Sequence, residues 1–162
     1  MVGAEVYVLL FILLACDGSK VDDTAGTCDT ENEDCDVGTC GGAGSQMLPG
    51  ANCLNCHTAG SGAGEEGEVP SFSLAGTVFA DASGTEGLEG ATVHVTDAEG
   101  TLVTMMSNAA GNFYTTDPIV LPVTATVEID GGVAEMTSYA DAGGCNSCHT
   151  CEGVAGGKLV GP

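Results

Sequence analysis

Apolar and polar residues alternate along much of the C-terminal half of the chain, which is typical of half-buried β-strands. The clearest run extends from Leu121 to Asp130, where every second residue is apolar. Turns rich in Gly, Asn and Asp separate the runs, and no segment shows a helical period. The alternating runs are residues 71–78, 91–96, 101–106, 121–130 and 133–139. We therefore predict an all-β fold, in which about six short strands form a small β-sandwich over residues 70–142.

A short apolar run lies near the start of the chain, from Val6 to Ala15. Its length of about ten residues is too short to span a bilayer but suits the core of a secretory signal. The residues Leu-Leu-Ala-Cys at 13–16 resemble the lipobox of bacterial lipoproteins, although the basic residues expected before the run are missing. The resemblance implies that residues 1–15 are a signal peptide and that Cys16 is the lipid anchor. We therefore expect an exported protein of the bacterial cell envelope, located in the periplasm, in the outer membrane or at the extracellular surface.

Residues 16–45 are rich in Asp, Glu, Gly and Thr and contain almost no large apolar side chains. Such a segment cannot bury enough surface to offset the entropy of ordering, so we interpret it as an acidic tether. It contains Cys28, Cys35 and Cys40, and its carboxylates would also suit a calcium or zinc site. Disulfides are the favoured interpretation because the spacing of an EF-hand is absent. With Cys151 these cysteines make an even number, and their pairing stays open.

The charge of the chain excludes several classes of partner. The 162 residues include 23 acidic and two basic side chains, which gives a formal net charge of −21 at pH 7. A nucleic-acid-binding protein needs Lys and Arg to neutralise phosphates, so DNA and RNA are excluded as partners. Membrane contact is expected only through the lipid anchor, because an anionic lipid surface would repel the protein. Redox partners of so acidic a protein are expected to present basic docking faces.

Two copies of the motif Cys-x-x-Cys-His occur among the nine cysteines. Residues 53–57 read Cys-Leu-Asn-Cys-His, and residues 145–149 read Cys-Asn-Ser-Cys-His. This motif is the attachment signature of c-type haem, in which two thiols bind one haem covalently and the following His coordinates the iron. The sequence therefore predicts two covalently bound haem c groups. Their expected ligands are Cys53, Cys56 and His57 in the first motif and Cys145, Cys148 and His149 in the second.

Two other kinds of site share parts of this pattern. A thioredoxin-like redox pair also uses Cys-x-x-Cys, but the βαβ context of that fold is missing. A zinc site could be made from both cysteine pairs, but it would not explain a His after each pair. Covalent haem is therefore the favoured interpretation.

The second axial position of each iron decides which chemistry is expected. A second protein ligand suits electron transfer, whereas an open position allows ligand binding or peroxide chemistry. The candidate distal ligands are His94, which lies on the polar face of a predicted strand, and Met47 and Met136, which each precede a haem motif. Met105 and Met106 would face opposite sides of a strand, so one is expected in the core and the other is a weaker candidate.

The predicted sandwich resembles a known family. Residues 90–97 (Gly-Ala-Thr-Val-His-Val-Thr-Asp) and residues 108–114 (Asn-Ala-Ala-Gly-Asn-Phe-Tyr) resemble the carboxypeptidase-regulatory-like, or transthyretin-like, β-sandwich, which is Ig-like in architecture. The resemblance covers residues 71–140. It implies a structural or adhesive module, and fold analogy alone implies no activity.

A second resemblance includes both haem motifs. The residues Met-Leu-Pro-Gly at 47–50 and Gly-Cys-Asn-Ser-Cys-His-Thr at 144–150 lie on either side of the sandwich. With that sandwich they resemble small bacterial dihaem lipoproteins, which place such a domain between two haem motifs. The resemblance spans most of residues 46–162 and implies an exported cytochrome for electron transport.

We therefore predict a carrier of single electrons rather than an enzyme. Loop-rich haem-binding segments flank the sandwich, the first over residues 46–69 with a flexible linker and the second over residues 143–162. Two alternatives stay open: a cell-surface binding or adhesion module whose cysteines form disulfides or hold a metal ion, and a haem sensor or peroxidase with one open iron site. The sequence also leaves open whether subunits self-assemble so that their haems form a longer wire.

Overall fold

The computed structural model describes residues 46–59 and 69–162. These residues form six β-strands and two short 3-10 helices, and they contain no α-helix. The strands are β1 (Leu74–Thr77), β2 (Thr92–Thr96), β3 (Leu102–Met106), β4 (Asn112–Thr115), β5 (Thr124–Ile129) and β6 (Gly132–Glu135). The 3-10 helices are Cys53–Asn55 and Cys145–Ser147. The all-β class predicted from the alternating pattern is confirmed.

Several sequence predictions lie outside the described residues. They are the signal peptide, the lipid anchor Cys16, the acidic tether with Cys28, Cys35 and Cys40, and most of the linker after the first motif. Each of them stays a prediction. Within the two described ranges, no helix has the length and apolar character needed to cross a membrane.

The six strands form two antiparallel sheets around one hydrophobic core. Four strands follow the order β3-β2-β5-β6, and β1 pairs with β4 in the second sheet. In the larger sheet Val93 lies opposite both Met105 and Val127, and all three side chains are buried. Leu74 and Phe113 enter the same core from the smaller sheet. Strand β2 therefore has the predicted alternation, because only its apolar side chains face this core.

The hairpin between β5 and β6 forms where the sequence predicts a turn. Asp130 and Gly131 have φ angles of 50° and 85°, the left-handed values that a tight two-residue hairpin turn requires. Strand β5 begins at Thr124, three residues later than the alternation from Leu121 predicts. Pro122 accounts for part of this difference, because it has no N–H to donate to the ladder. Strand β6 is also shorter than its predicted run.

The first strand differs from its prediction. The alternation over residues 71–78 predicts one exposed face, but all four residues of β1 are buried. The face that carries Leu74 belongs to the hydrophobic core. On the opposite face, the hydroxyl oxygen of Thr77 accepts hydrogen bonds from the backbone N–H of Gly50 and the side chain of Asn146, both at 3.0 Å. Residues in and beside the two Cys-x-x-Cys-His motifs therefore cover the face that was expected to meet solvent.

Candidate functional site

Each Cys-x-x-Cys-His motif folds as one 3-10 turn that ends at its second cysteine. In the first motif, the N–H groups of Cys56 and His57 donate to the carbonyl of Cys53 at 3.2 and 2.8 Å. In the second motif, the equivalent N–H groups donate to the carbonyl of Cys145 at 3.2 and 3.0 Å. The two motifs therefore share one backbone arrangement, in which both cysteines and the histidine surround a single turn.

Asn146, the second residue of the second motif, connects the two motifs. Its side chain is only 2% exposed. The Nδ2 atom donates to the carbonyl of Ala51 at 2.7 Å and to the hydroxyl of Thr77 at 3.0 Å. The Oδ1 atom accepts the backbone N–H of Thr77 at 3.1 Å. One side chain thus holds the second motif against β1 and against the residues that precede the first motif.

Asn52 forms a second contact between the motifs. Its Oδ1 atom caps the first 3-10 turn by accepting the N–H of Leu54 at 3.3 Å. The same oxygen lies so close to Gly144 that a Cβ atom at that position would overlap it. The turn before the second motif therefore requires glycine where it meets the cap of the first motif.

His57 is held in a single tautomer. Its Nδ1 atom is 2.9 Å from the carbonyl oxygen of Pro70. A carbonyl only accepts hydrogen bonds, so Nδ1 carries a proton, and in the neutral ring it is Nε2 that has the lone pair. The side chain is 6% exposed, and Nε2 is buried without a hydrogen-bond partner among the described residues. This nitrogen is the atom with which an imidazole would bind a metal.

His149 has an equivalent arrangement in the second motif. Its Nδ1 atom is 3.2 Å from the carbonyl oxygen of Gly157, which again assigns the proton to Nδ1. Burial lowers the pKa of His149, while the hydrogen bond to Gly157 opposes that shift. The lowered pKa favours the neutral ring, which is the form that coordinates metals.

The free thiols are unlike those of a reactive redox pair. Cys53, Cys56 and Cys145 are reduced thiols outside any disulfide. Burial raises the pKa of the Cys53 thiol to about 11, and burial together with the nearby Cys53 raises that of Cys145 to about 12. Reactive cysteines need a lowered pKa, because the thiolate is the nucleophile. The raised pKa values therefore disfavour thioredoxin-like chemistry, and the effect of Cys53 on the pKa of Cys145 reflects how close the first cysteines of the two motifs lie.

Cys148 departs from the arrangement expected for a haem cysteine. Both Cys148 and Cys151 are disulfide-bonded. A sulfur in a disulfide cannot also bind haem, so this disulfide and a haem at the second motif exclude each other. The first motif has no such conflict, since neither of its cysteines is in a disulfide.

The zinc alternative also gains no support from this arrangement. In residues 46–59 and 69–162, no three His, Cys, Asp or Glu side chains are grouped so that they could hold one metal ion. A zinc site made from both cysteine pairs needs such a group. Attachment of haem does not need such a group, because the porphyrin already holds the iron and the protein supplies only axial ligands.

The structure places His94 away from the two motifs. It lies on the outer face of the four-stranded sheet, between the buried Val93 and Val95 of β2. Its Nδ1 atom is 2.9 Å from the hydroxyl of Thr104, and its Nε2 atom is 3.9 Å from a carboxylate oxygen of Glu128. Both motifs instead contact β1 in the other sheet. Its role as a distal ligand stays a prediction, and these neighbours do not favour it.

The methionines have different environments. Met105 is buried in the core and Met106 is 70% exposed, as the strand periodicity predicts. Met47 is 37% exposed and has a left-handed φ of 66°, and Met136 is half-buried just after β6. Ligation of iron by Met47 or Met136 stays a prediction.

Three aromatic rings form a continuous stack that starts at the first motif. The rings of His57 and Phe72 have centroids 4.1 Å apart and planes inclined by 12°. The rings of Phe72 and Tyr114 have centroids 4.3 Å apart and planes inclined by 16°. Tyr114 is 51% exposed, so the stack extends from a buried ligand candidate to the protein surface.

Sequence analysis does not identify the residues that hold the motifs in place. Asn146 occupies a variable position of its motif, so no sequence signal marks it. Asn52 precedes a helical turn, where asparagine is a favoured cap, and this signal could have found it. Pro70 and Phe72 are separated from His57 by a linker, so only the folded chain reveals their contacts with the ring.

No protein-family model, curated protein or solved structure matches this chain. The two motif histidines share one arrangement, in which Nδ1 of each ring lies beside a backbone carbonyl oxygen.

Proposed function

We propose that this protein is an exported dihaem c-type cytochrome that carries single electrons in the cell envelope or at the cell surface. The observation that supports the proposal most directly is the state of His57, whose Nδ1 is held by Pro70 while the buried Nε2 has no hydrogen-bond partner among the described residues. A buried polar atom without a partner costs about 1–3 kcal/mol, and coordination of iron would remove that cost. A carbonyl on the second ring nitrogen is also the usual support of a metal-binding histidine.

The first motif would hold its haem through Cys53 and Cys56, with His57 as the proximal ligand. When bound, haem supplies an iron that alternates between the ferric and ferrous states, one electron at a time. The chain itself fixes the ligand: Pro70 sets its tautomer, and Phe72 covers one face of its ring. Neither cysteine of this motif is in a disulfide, so no reduction has to precede attachment.

The second motif would hold its haem through Cys145, Cys148 and His149, provided that Cys148 is first reduced. Opening its disulfide consumes two electrons and two protons from a thiol reductant and releases two thiols. Cys145 and Cys148 would then be two thiols that could hold the haem as thioethers. This attachment would need no oxidant, because addition of a thiol to a vinyl group keeps the thiol hydrogen in the product. The proposal requires this reduction during maturation, before the chain folds.

The proposed location and partners follow from the rest of the chain. The apolar run and lipobox-like residues before Cys16 support export and anchoring by lipid. The net charge of −21 supports redox partners with basic docking faces. Because salt screens such attraction, association with a partner is expected to slow as ionic strength rises.

The proposal is tested by replacing both cysteines of the first motif, in the variant Cys53→Ser with Cys56→Ser. Haem bound through thioethers stays on the denatured chain, so haem staining of a denaturing gel measures attachment. We expect the wild type to stain and this variant to keep about half of that signal, because the second motif is intact. The matched control is Cys151→Ser, which removes a cysteine outside both motifs and is expected to stain fully. Absence of stain in the wild type, after export from a host with cytochrome c maturation machinery, would contradict the proposal.

The second candidate is a cell-surface binding module stabilised by disulfides. The disulfide bonding of Cys148 and Cys151 favours it, as does the resemblance of the sandwich to structural and adhesive domains. This candidate predicts an unstained wild type in which Cys148 resists alkylation until a reductant is added. The staining experiment therefore separates the two candidates.

A further inference from the structure

We propose that the stacked rings of His57, Phe72 and Tyr114 form the electron port of the first motif, which is the route by which an electron enters or leaves it. Tyr114 marks the face on which a basic one-electron carrier docks. This inference rests on the proposed function, since it assigns a route and a class of partner to the same site. In the exchange, one electron leaves the carrier and arrives at the iron that His57 would bind, or travels in the opposite direction. The carrier is oxidised or reduced by one electron, and no bond or proton is exchanged.

The stack forms a short, closely packed route. Successive ring centroids are 4.1 and 4.3 Å apart, and both pairs of planes are inclined by less than 20°. These are contact distances for stacked aromatic rings, so the three π systems adjoin without intervening solvent or backbone. The first ring is the proposed iron ligand, and the last is half exposed. An electron at the surface of Tyr114 therefore has an aromatic path to the first iron.

The backbone fixes all three rings relative to one another. The N–H of Phe72 donates to the carbonyl of His57 at 2.8 Å. Tyr114 lies in β4, where it pairs with Ala75 of β1. The buried strand β1 thus keeps the outer ring in register with the two inner rings. Such an arrangement is pre-organised, because docking of a partner on Tyr114 requires no movement of the chain.

The second motif lacks this feature. Among the described residues, His149 has no stacked aromatic neighbour, whereas the ring of His57 is the start of a three-ring stack. The two otherwise similar motifs therefore differ in their connection to the surface. This difference assigns exchange with the carrier to the first motif.

The charge of the surface identifies the class of partner. Lys158 is the one Lys or Arg among the described residues, and it is buried. Exposed carboxylates remain, including Asp117 just beyond the end of β4. A carrier with a basic face would be attracted to this surface, whereas an acidic carrier would be repelled. Exposed tyrosines are also common anchors at protein interfaces.

The test uses the haem-loaded full chain and a basic monohaem cytochrome whose iron has been replaced by zinc. After a light flash, the zinc porphyrin donates one electron to the ferric protein, so the decay of its excited state reports docking and electron transfer together. The variants are Tyr114→Leu, which removes the outer ring, and Tyr114→Phe, which keeps it. The matched control is Tyr139→Leu, because Tyr139 is 74% exposed and takes part in neither stacked ring pair.

We expect Tyr114→Leu to slow the decay several-fold relative to wild type, while Tyr114→Phe and Tyr139→Leu stay close to it. The haem absorption spectrum and midpoint potentials are expected to be unchanged in all three variants, since none of them touches an iron ligand. If the excited state decays at the wild-type rate with haem-loaded Tyr114→Leu, the electron port is wrong. The same holds if Tyr139→Leu slows the decay as much as Tyr114→Leu does. Neither result would bear on the proposed function. Absence of haem from the wild type would overturn the proposed function and the port with it.

Discussion

Replacement of Asn146 by leucine is expected to lower the free energy of unfolding by about 3–5 kcal/mol. Leucine is close to asparagine in size, but it makes none of the three hydrogen bonds to Ala51 and Thr77. The N–H of Thr77 would then be buried without a partner, and the carbonyl of Ala51 would keep only the 3.7 Å contact with the thiol of Cys53, at about 1–3 kcal/mol each. The loss is a large share of the 5–15 kcal/mol that typically separates folded from unfolded domains.

Urea unfolding of the variant and the wild type, prepared with the same haem content, measures this effect. The matched control is Asn55→Leu, the same change at an exposed position of the first motif. Its cost is expected to be about 0.5–1 kcal/mol, because the hydrogen bond that the Asn55 side chain accepts from Asn52 is exposed to water. If the two leucine variants unfold at the same urea concentration, the hydrogen bonds of Asn146 to Ala51 and Thr77 do not hold the motifs together.

Replacement of Gly76 by alanine is expected to cost about 2–3 kcal/mol, because it places a methyl group in a filled space. A Cβ atom at position 76 would lie 2.7 Å from the Cβ of Cys145 and 2.7 Å from a ring carbon of Phe113. Either the core ring or the second motif must move. We therefore also expect less haem at the second motif, while the first motif keeps its haem.

Thermal unfolding and the haem content of each motif check this prediction. A control substitution is Gly132→Ala in β6, where the nearest atoms are 3.1 and 3.2 Å away and belong to the side chain of Pro162. Because these contacts are longer than the 2.7 Å contacts at Gly76, this variant is expected to lose much less stability. Equal losses in the two variants would show that the contact between β1 and the second motif is not rigid.

Local patterns in the sequence predict a large part of the fold. The alternation in β2 and the turn at Asp130 depend only on neighbouring residues, and both occur as predicted. The first strand is less predictable, because whether Thr77 is exposed depends on what packs over it. Its neighbours Gly50 and Asn146 are distant in sequence, and no periodic pattern records that contact.

In the candidate site too, local features can be predicted from the sequence and long-range contacts cannot. The spacing of each motif predicts which residues are candidates, since the chemistry of haem attachment depends on five consecutive residues. The proximity of the two motifs cannot be predicted this way, because it depends on Asn146 reaching Ala51 across 95 residues. The same limit applies to the support of His57 by Pro70 and Phe72, because Pro70 comes 13 residues after His57 and no local pattern records such a contact.

The central claim is that each Cys-x-x-Cys-His motif carries one covalently bound haem. The most direct test is a pyridine haemochrome spectrum combined with the intact mass of the full chain, exported from a host with cytochrome c maturation machinery. The account predicts a c-type spectrum with two haems per chain, and a mass increased by two haem groups. A chain without covalent haem, with Cys148 still in a disulfide, would contradict it and favour the surface-binding module.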